Sequence, residues 1–368
     1  MDTLKAIVVD DTIVYRKIVS DVLREIPGVE VVAAAHNGKI ALSKIATLKP
    51  DFITLDIEMP EVNGIEVLQA LQGQADAPVA IMLSTLTHEG GEMTMKALEL
   101  GAFDFVPKPD QGTMAENMGK VKKAILPIVD ALKRQKRTQF QFRSRLDKKS
   151  ISKSQPLKTA EARPSFTPPK GTIRKSKSEI IGIGISTGGP NALTKMIPML
   201  PPELKVPVLI VQHMPPMFTA SLAKSLDSKS KLEVREAADG DILEPGRILI
   251  APGGKQMKIV AGADGISRKI KITDDPPENS CKPSVDYLFR SIAQYYVGRA
   301  TGVIMTGMGS DGSKGLVQMK KNGSTIIAQN EETCTVYGMP KEPAESGTAD
   351  IIAPLEKIAQ EIVKTVGL

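Results

Sequence analysis

Short apolar runs separated by amphipathic stretches organise the first third of the chain. The runs are Ala6–Val9, Val29–Ala34, Phe52–Leu55, Val79–Leu83 and Phe103–Val106. Each is the length of a buried strand rather than of a helix. Between them apolar residues recur at helical spacing: Val14, Ile18, Val19, Val22, Leu23 and Ile26 share one face. A last helix is predicted over Met114–Leu132. Strands alternating with helices in this way predict an α/β fold, a doubly wound, five-stranded parallel sheet of flavodoxin-like type. Ligands of such sheets bind beyond the carboxyl ends of the strands. Asp10, Asp11, Asp56, Ser84, Thr85 and Lys108 all follow strand-like runs, so the topology gathers them at one edge.

The periodicity fails from about Arg134 to Ser178, a stretch rich in Lys, Arg, Ser, Thr and Pro that includes Pro168-Pro169 and Lys170-Gly171. Such a composition buries too little apolar surface to offset the entropy of ordering. It predicts a flexible linker, with Phe140, Phe142 and Phe166 as possible sticky points. A second α/β pattern follows, with strands at Ile180–Ile185, Val206–Val211, Ile248–Ala251 and Val303–Met305. Helices are expected from Pro190, near Val285–Tyr296 behind a Ser284 cap, at Lys314–Asn322 and at Leu355–Val366. The expected division is a first domain over 1–127, a basic linker over 128–178 and a second domain, with a mainly parallel sheet, over 179–368.

Composition changes the picture in two places. The net charge of +6 is misleading as a whole-chain figure. Lys133–Lys177 holds 15 Lys and Arg against 2 Asp and Glu, which leaves −7 for the remainder. The C-terminal half therefore offers no basic recognition helix, and a DNA-binding regulator is disfavoured. The linker cations could serve as a solvated tether or meet acidic receptor or lipid surfaces. The two cysteines, Cys281 and Cys334, make neither a disulfide framework nor a four-ligand zinc site. With no long apolar span and no signal pattern at Met1–Lys5, a cytoplasmic protein with free thiols is expected.

Asp10 and Asp11 on one loop and Asp56 on the next suit a hard cation such as Mg2+, which takes oxygen ligands. If Asp56 accepts a phosphoryl group, Lys108 is placed to pair with it, and the Ser84 or Thr85 hydroxyl to follow it. Any one acid at a strand end is ordinarily a cap or a solvated turn; five positions at one edge are harder to dismiss.

The second half contains Gly184-Ile185-Ser186-Thr187-Gly188 directly after an apolar run. A strand-to-helix turn of this kind exposes the serine hydroxyl at a helix N-terminus, where an oxyanion is stabilised. Serine is a weak nucleophile without a base, and His213 is the sole histidine in this half. Asp311 is the best-placed orienting acid, with Asp239, Asp241 and Asp286 as rivals. The order Ser, His, Asp differs from that of α/β-hydrolases, so the standard α/β-hydrolase fold is not expected. A nucleotide-binding turn at Gly182, Gly184 and Gly188 lacks the required glycine spacing.

The segments IVVDD, LDIEMPEVNG, MLST and GAFDFVPKP resemble a two-component receiver domain. That resemblance implies Asp56 as phospho-acceptor and Asp10, Asp11 and the Glu58 backbone carbonyl as Mg2+ ligands. It also implies Lys108 as the family's lysine, Ser84 as switch hydroxyl and Phe105 as the aromatic switch. The segments IGIGISTGGP, VQHMPPMFT, APGG, CKPSVDYLF, MTGMGSDG and AQNEETCTVYGMP are similar to the catalytic domain of chemotaxis protein-glutamate methylesterases. Together they resemble the chemotaxis response regulator methylesterases from end to end. The resemblance implies Ser186 as nucleophile, His213 as base, Asp311 as orienting acid, the Met308 amide in the oxyanion hole and Thr187 in support. It further implies chemoreceptor cytoplasmic bundles as substrate, a chemotaxis histidine kinase as phosphodonor, deamidation of receptor glutamines and no cofactor for the hydrolase. A monomer is the simplest expectation.

Overall fold

The computed structural model describes residues 3–74, 76–149 and 176–368, with backbone alone at 135 and 137–149. Its first unit alternates β1 (Leu4–Val9), α1 (Ile13–Arg24), β2 (Val29–Ala35), α2 (Gly38–Leu48), β3 (Phe52–Asp56), α3 (Gly64–Leu71), β4 (Val79–Ser84), α4 (His88–Glu99), β5 (Asp104–Pro107) and α5 (Met114–Lys149). The five strands form one parallel sheet in the order β2-β1-β3-β4-β5. Both faces are covered by helices, so β1 and β3 are apolar almost throughout. Asp10 and Asp56 are buried where β1 and β3 end.

The helix predicted to stop near Leu132 continues to Lys149 in α5. The expected linker start at 128 is therefore corrected: Ile128, Val129 and Leu132 are buried against the first core. The reason is their apolar face, which has a hydrophobic partner that a tether would not. Phe166 and Pro168-Pro169 lie outside the described residues, as do the side chains of Phe140 and Phe142. At the other end Ser176 donates to the Gly298 carbonyl and Ser178 packs against Thr301, so the second unit takes in residues assigned to the linker.

That unit comprises β6 (Ile180–Ile185), α6 (Gly189–Met196), β7 (Val208–Gln212), α7 (Phe218–Asp227), β8 (Glu233–Glu236), β9 (Arg247–Ile250), β10 (Gln256–Ala261) and β11 (Arg268–Thr273). It continues with α8 (Val285–Tyr295), β12 (Ala300–Ile304), α9 (Ser313–Lys321), β13 (Thr325–Gln329), α10 (Lys341–Glu345), β14 (Ile351–Ala353) and α11 (Leu355–Val366). Seven strands form a parallel sheet in the order β14-β13-β12-β6-β7-β9-β8. The antiparallel hairpin β10-β11 stands apart from it. From β6 the chain moves to β7 on one side and later to β12 on the other. The strand order reverses at β6, and a crevice opens there beyond the carboxyl ends.

Candidate active site

Three neighbouring strands, β12, β6 and β7, deliver the hydrolase candidates to that crevice. Ser186 follows β6, His213 follows β7 and Asp311 lies on the loop after β12. The Ser186 amide donates to the Thr306 carbonyl at 2.9 Å and the His213 amide to the Ile185 carbonyl at 3.1 Å, which ties the three strand ends together. Gly188 turns the chain into α6 at φ +74°, a conformation that L side chains avoid. Gly307 runs so close that a Cβ there would come within 2.8 Å of Ser186 Cβ. The next residue, Met308, is exposed. Thr306 Oγ1 donates to the Thr187 carbonyl at 3.0 Å, locking the two loops.

His213 Nε2 and Asp311 Oδ2 are 2.8 Å apart. A carboxylate only accepts, so Nε2 carries the proton and Nδ1 holds the lone pair of the neutral ring. Nδ1 lies 3.7 Å from Cys281 Sγ. Ser186 and His213 line one cavity of about 110 Å³ but share no hydrogen bond; such bonds often tighten only around substrate. Asp311 is over-determined, accepting from Asn279 Nδ2 at 2.8 Å, Ser284 Oγ at 2.9 Å and the Val285 amide at 2.7 Å. Burial works against its charge, but the His213 bond and these donors hold its pKa down at about 2. Burial likewise opposes a charged His213, yet Asp311 and Cys281 together raise its pKa to about 9.

Of the rival acids, Asp286 accepts from Asn279 and from the Gly315 amide and has no His213 bond. Asp239 and Asp241 pair instead with Lys271 and Arg235. Sequence reasoning missed Asn279, which bridges Asp286 and Asp311 from a left-handed φ of 51°. It also missed Gln212, whose Nε2 donates to the Ser186 carbonyl at 3.0 Å. The buried polar end of a strand, Gln212 in VLIVQ, was the available signal for the latter.

The first unit closes over this crevice. Asp104 Oδ2 accepts from the Gly188 amide at 2.9 Å, two residues past Ser186 and at the N-terminus of α6, where the helix dipole favours an anion. Burial raises the Asp104 pKa to about 6 even though the Phe105 and Gly188 amides favour its charge. Phe105 stacks on Phe218 with ring centroids 4.9 Å apart. Asn191 Nδ2 donates to the Ala102 and Phe103 carbonyls, and Lys224 meets Glu92 at 2.7 Å. Asp104, Phe105 and Pro107 thus wall the cavity that holds Ser186.

At the first unit's own edge Lys108 Nζ lies 2.8 Å from Asp10 Oδ2 and 2.6 Å from Asp56 Oδ2. Asp10, Asp11 and Asp56 offer ligand oxygens within 4.8 Å of one another. Burial, with help from Asp10 and Asp11, raises the Asp56 pKa to about 7 despite Lys108. An acid set under that strain fits a divalent cation. Ser84 is buried and accepts from Thr94 Oγ1 at 2.7 Å, while Thr85 is half-buried and faces Thr87. Glu58 is exposed two residues beyond Asp56 on the same loop.

A family model described as CheB methylesterase matches residues 181–362, and one described as response regulator receiver domain matches residues 6–118. A relative from Desulfotalea psychrophila named protein-glutamate methylesterase/protein-glutamine glutaminase is 57% identical over 373 residues, covering 100% of both chains. A relative of the same name from Bacillus subtilis is 42% identical and covers 99% of this chain and 98% of its own. Among solved structures, the Thermotoga maritima CheB methylesterase catalytic domain is 41% identical, with a TM-score of 0.49, and covers 51% of this chain and 99% of that one.

Proposed function

The chain belongs to the CheB methylesterase family and carries a response regulator receiver domain at its N-terminus, and from that premise we propose that it hydrolyses glutamate γ-methyl esters on chemoreceptors under control of that receiver. It acts in bacterial chemotaxis as a response-regulator methylesterase, and the same acyl chemistry deamidates receptor glutamines. The observation that carries this reading is the meeting of Ser186 and His213 in one cavity walled by the receiver's Asp104 and Phe105, with Asp311 bonded to His213.

In the proposed mechanism Ser186 Oγ attacks the ester carbonyl. His213 Nδ1 takes its proton and then protonates the departing methoxide. Asp311 keeps the proton on Nε2, so that Nδ1 remains the basic nitrogen. The Thr187 and Met308 amides, which form no backbone hydrogen bond among the described residues, are the donors for the oxyanion. Water, activated by His213, releases the glutamate. Methanol leaves, and the receptor regains one negative charge.

The substrate site is shut in the form described here. Phosphorylation of Asp56 by a histidine kinase is the proposed key. Asp10, Asp11, Asp56 and the Glu58 carbonyl would hold Mg2+, which offsets charge on the transferred phosphoryl oxygens. Lys108, now shared between Asp10 and Asp56, pairs with the new group. Ser84 then trades its Thr94 and Gly90 partners for it, and Phe105 leaves Phe218. No described helix is long and apolar enough to cross a membrane, and the proposed setting is the cytoplasm.

The test is methanol release from methylated chemoreceptor cytoplasmic fragments, with and without acetyl phosphate and Mg2+. Release that rises with the phosphodonor supports the reading; none under any condition overturns it. Asp56→Asn is expected to keep basal hydrolysis and lose stimulation, and stimulation that survives the change refutes the switch.

The pH dependence has a definite sign. A base must be neutral to accept a proton, and the His213 pKa is raised from 6.5 to about 9. The stimulated enzyme's kcat/KM should therefore climb with pH, about tenfold per unit on the acid limb, and level off near pH 9. A midpoint at or below 6.5 would show that the Asp311–His213 pairing does not govern the base.

A further inference from the structure

We propose that His213 Nδ1 and Cys281 Sγ form a Zn2+ site that holds the hydrolase inactive when the metal is bound. Cys281 has no part in the proposed ester chemistry, yet its sulfur faces the ring nitrogen on which that chemistry depends, 3.7 Å away. Tetrahedral zinc with ordinary Zn–S and Zn–N bonds sets its sulfur and nitrogen ligands about 3.6 Å apart. The pair therefore needs almost no rearrangement to close on the ion.

The third member of the cluster completes the arrangement from behind. Asp311, whose ligand atom lies within 4.8 Å of those of His213 and Cys281, accepts the Nε2 proton and fixes the tautomer that leaves Nδ1 free to coordinate. Zinc-bound histidines are typically backed by a carboxylate in this way. Thiolate and imidazole are borderline-soft ligands that favour zinc over magnesium. The receiver's all-carboxylate cluster has the opposite preference, so the two sites would sort the two metals. Both His213 and Cys281 are only partly buried, and water would fill the remaining coordination positions.

Binding releases the Cys281 thiol proton and, wherever the His213 ring is charged, its Nδ1 proton as well, and ties up the Nδ1 lone pair. Ser186 then has no acceptor for its proton. The block acts at the chemistry itself, so phosphorylation of Asp56 does not lift it. This inhibitory consequence rests on His213 being the base; the metal site itself does not.

The two are separated by using cobalt as a spectroscopic stand-in for zinc. Full-length protein is titrated with Co2+ in excess Mg2+, which occupies the receiver. A thiolate-to-cobalt charge-transfer band is expected in wild type, in Ser186→Ala and in Cys334→Ala. The band should vanish in Cys281→Ala and in the volume-conserving Cys281→Ser. No band in wild type, or a band that survives loss of Cys281, overturns the site. In parallel, Zn2+ should suppress methanol release even with acetyl phosphate present, and a zinc-selective chelator should restore it. The zinc concentration giving half inhibition is expected to rise at least tenfold in the Cys281 variants. A cobalt band together with zinc-insensitive hydrolysis keeps the metal site and overturns both its inhibitory role and Nδ1 as the base.

Discussion

Ser186→Ala lowers methanol release from methylated receptor fragments by on the order of 10⁴–10⁶-fold, the loss seen when a serine nucleophile is removed from a catalytic triad. Ser186 follows β6, at the one place in the second sheet where the strand order reverses, and lines the same cavity as His213, whose ring bonds the buried Asp311. The variant should fold normally, because the Ser186 backbone, through its amide and carbonyl, makes the bonds that tie β6 to β12 and to Gln212. Asp311→Asn is expected to cost about 10⁴-fold by losing control of the histidine tautomer, and it also sets an amide NH2 against donors such as Ser284 and Val285. Losses that add across the double variant would mean the residues do not act as a unit. A Ser186→Ala protein that still hydrolyses within tenfold of wild type would send the search for the nucleophile elsewhere.

Asp104→Ala raises hydrolysis in the absence of any phosphodonor. The Gly188 amide donates to Asp104 Oδ2 in the closed form; without that acceptor it stays buried and unsatisfied, at a cost of about 1–3 kcal/mol. That shifts the closed-to-open ratio, and with it basal activity, roughly fivefold to a hundredfold. Phe105→Ala should add to it by removing the stack on Phe218, worth about 0.5–1.5 kcal/mol beyond its buried area. Phe105 is the side of the pair to change, since Phe218 is fully buried in the hydrolase core. Asp104→Asn is the control. It keeps an acceptor for Gly188 and removes a charge whose burial is unfavourable, as the raised pKa of about 6 indicates. Basal activity in Asp104→Asn should match or fall below that of wild type. Equal activation by Ala and Asn would mean that the charge, rather than the hydrogen bond, holds the units together.

The apolar runs and their spacing made most of the fold legible. All five receiver runs match their strands to within two residues at either end, because strands buried on both faces are nearly continuous apolar segments. The hairpin β10-β11, the edge strands β8 and β14 and the interior strand β13 were not anticipated. RKIKIT and EVRE are too charged to stand out as strands, and IIA is only three residues long. The end of α5 was misplaced for a related reason: Ile128, Val129 and Leu132 carry the core pattern into a region whose composition is that of a tether.

Ser186, His213 and Asp56 stood out in the chain because each is a chemically capable residue directly after a strand-like run. What the sequence by itself determined was where the apolar strands run, which residues follow them, and hence which side chains could reach a sheet edge; hydrophobic periodicity is a local property and is carried in the local order of residues. The sequence already favoured Asp311; its bond to Nε2, the sulfur beside Nδ1 and the place of Asp104 beside Gly188 were decided by the tertiary structure. Each depends on contacts between residues 68 to 98 positions apart, at hydrogen-bonding precision. Strand order, loop path and the docking of one unit on the other set those distances, and no spacing along the chain encodes them.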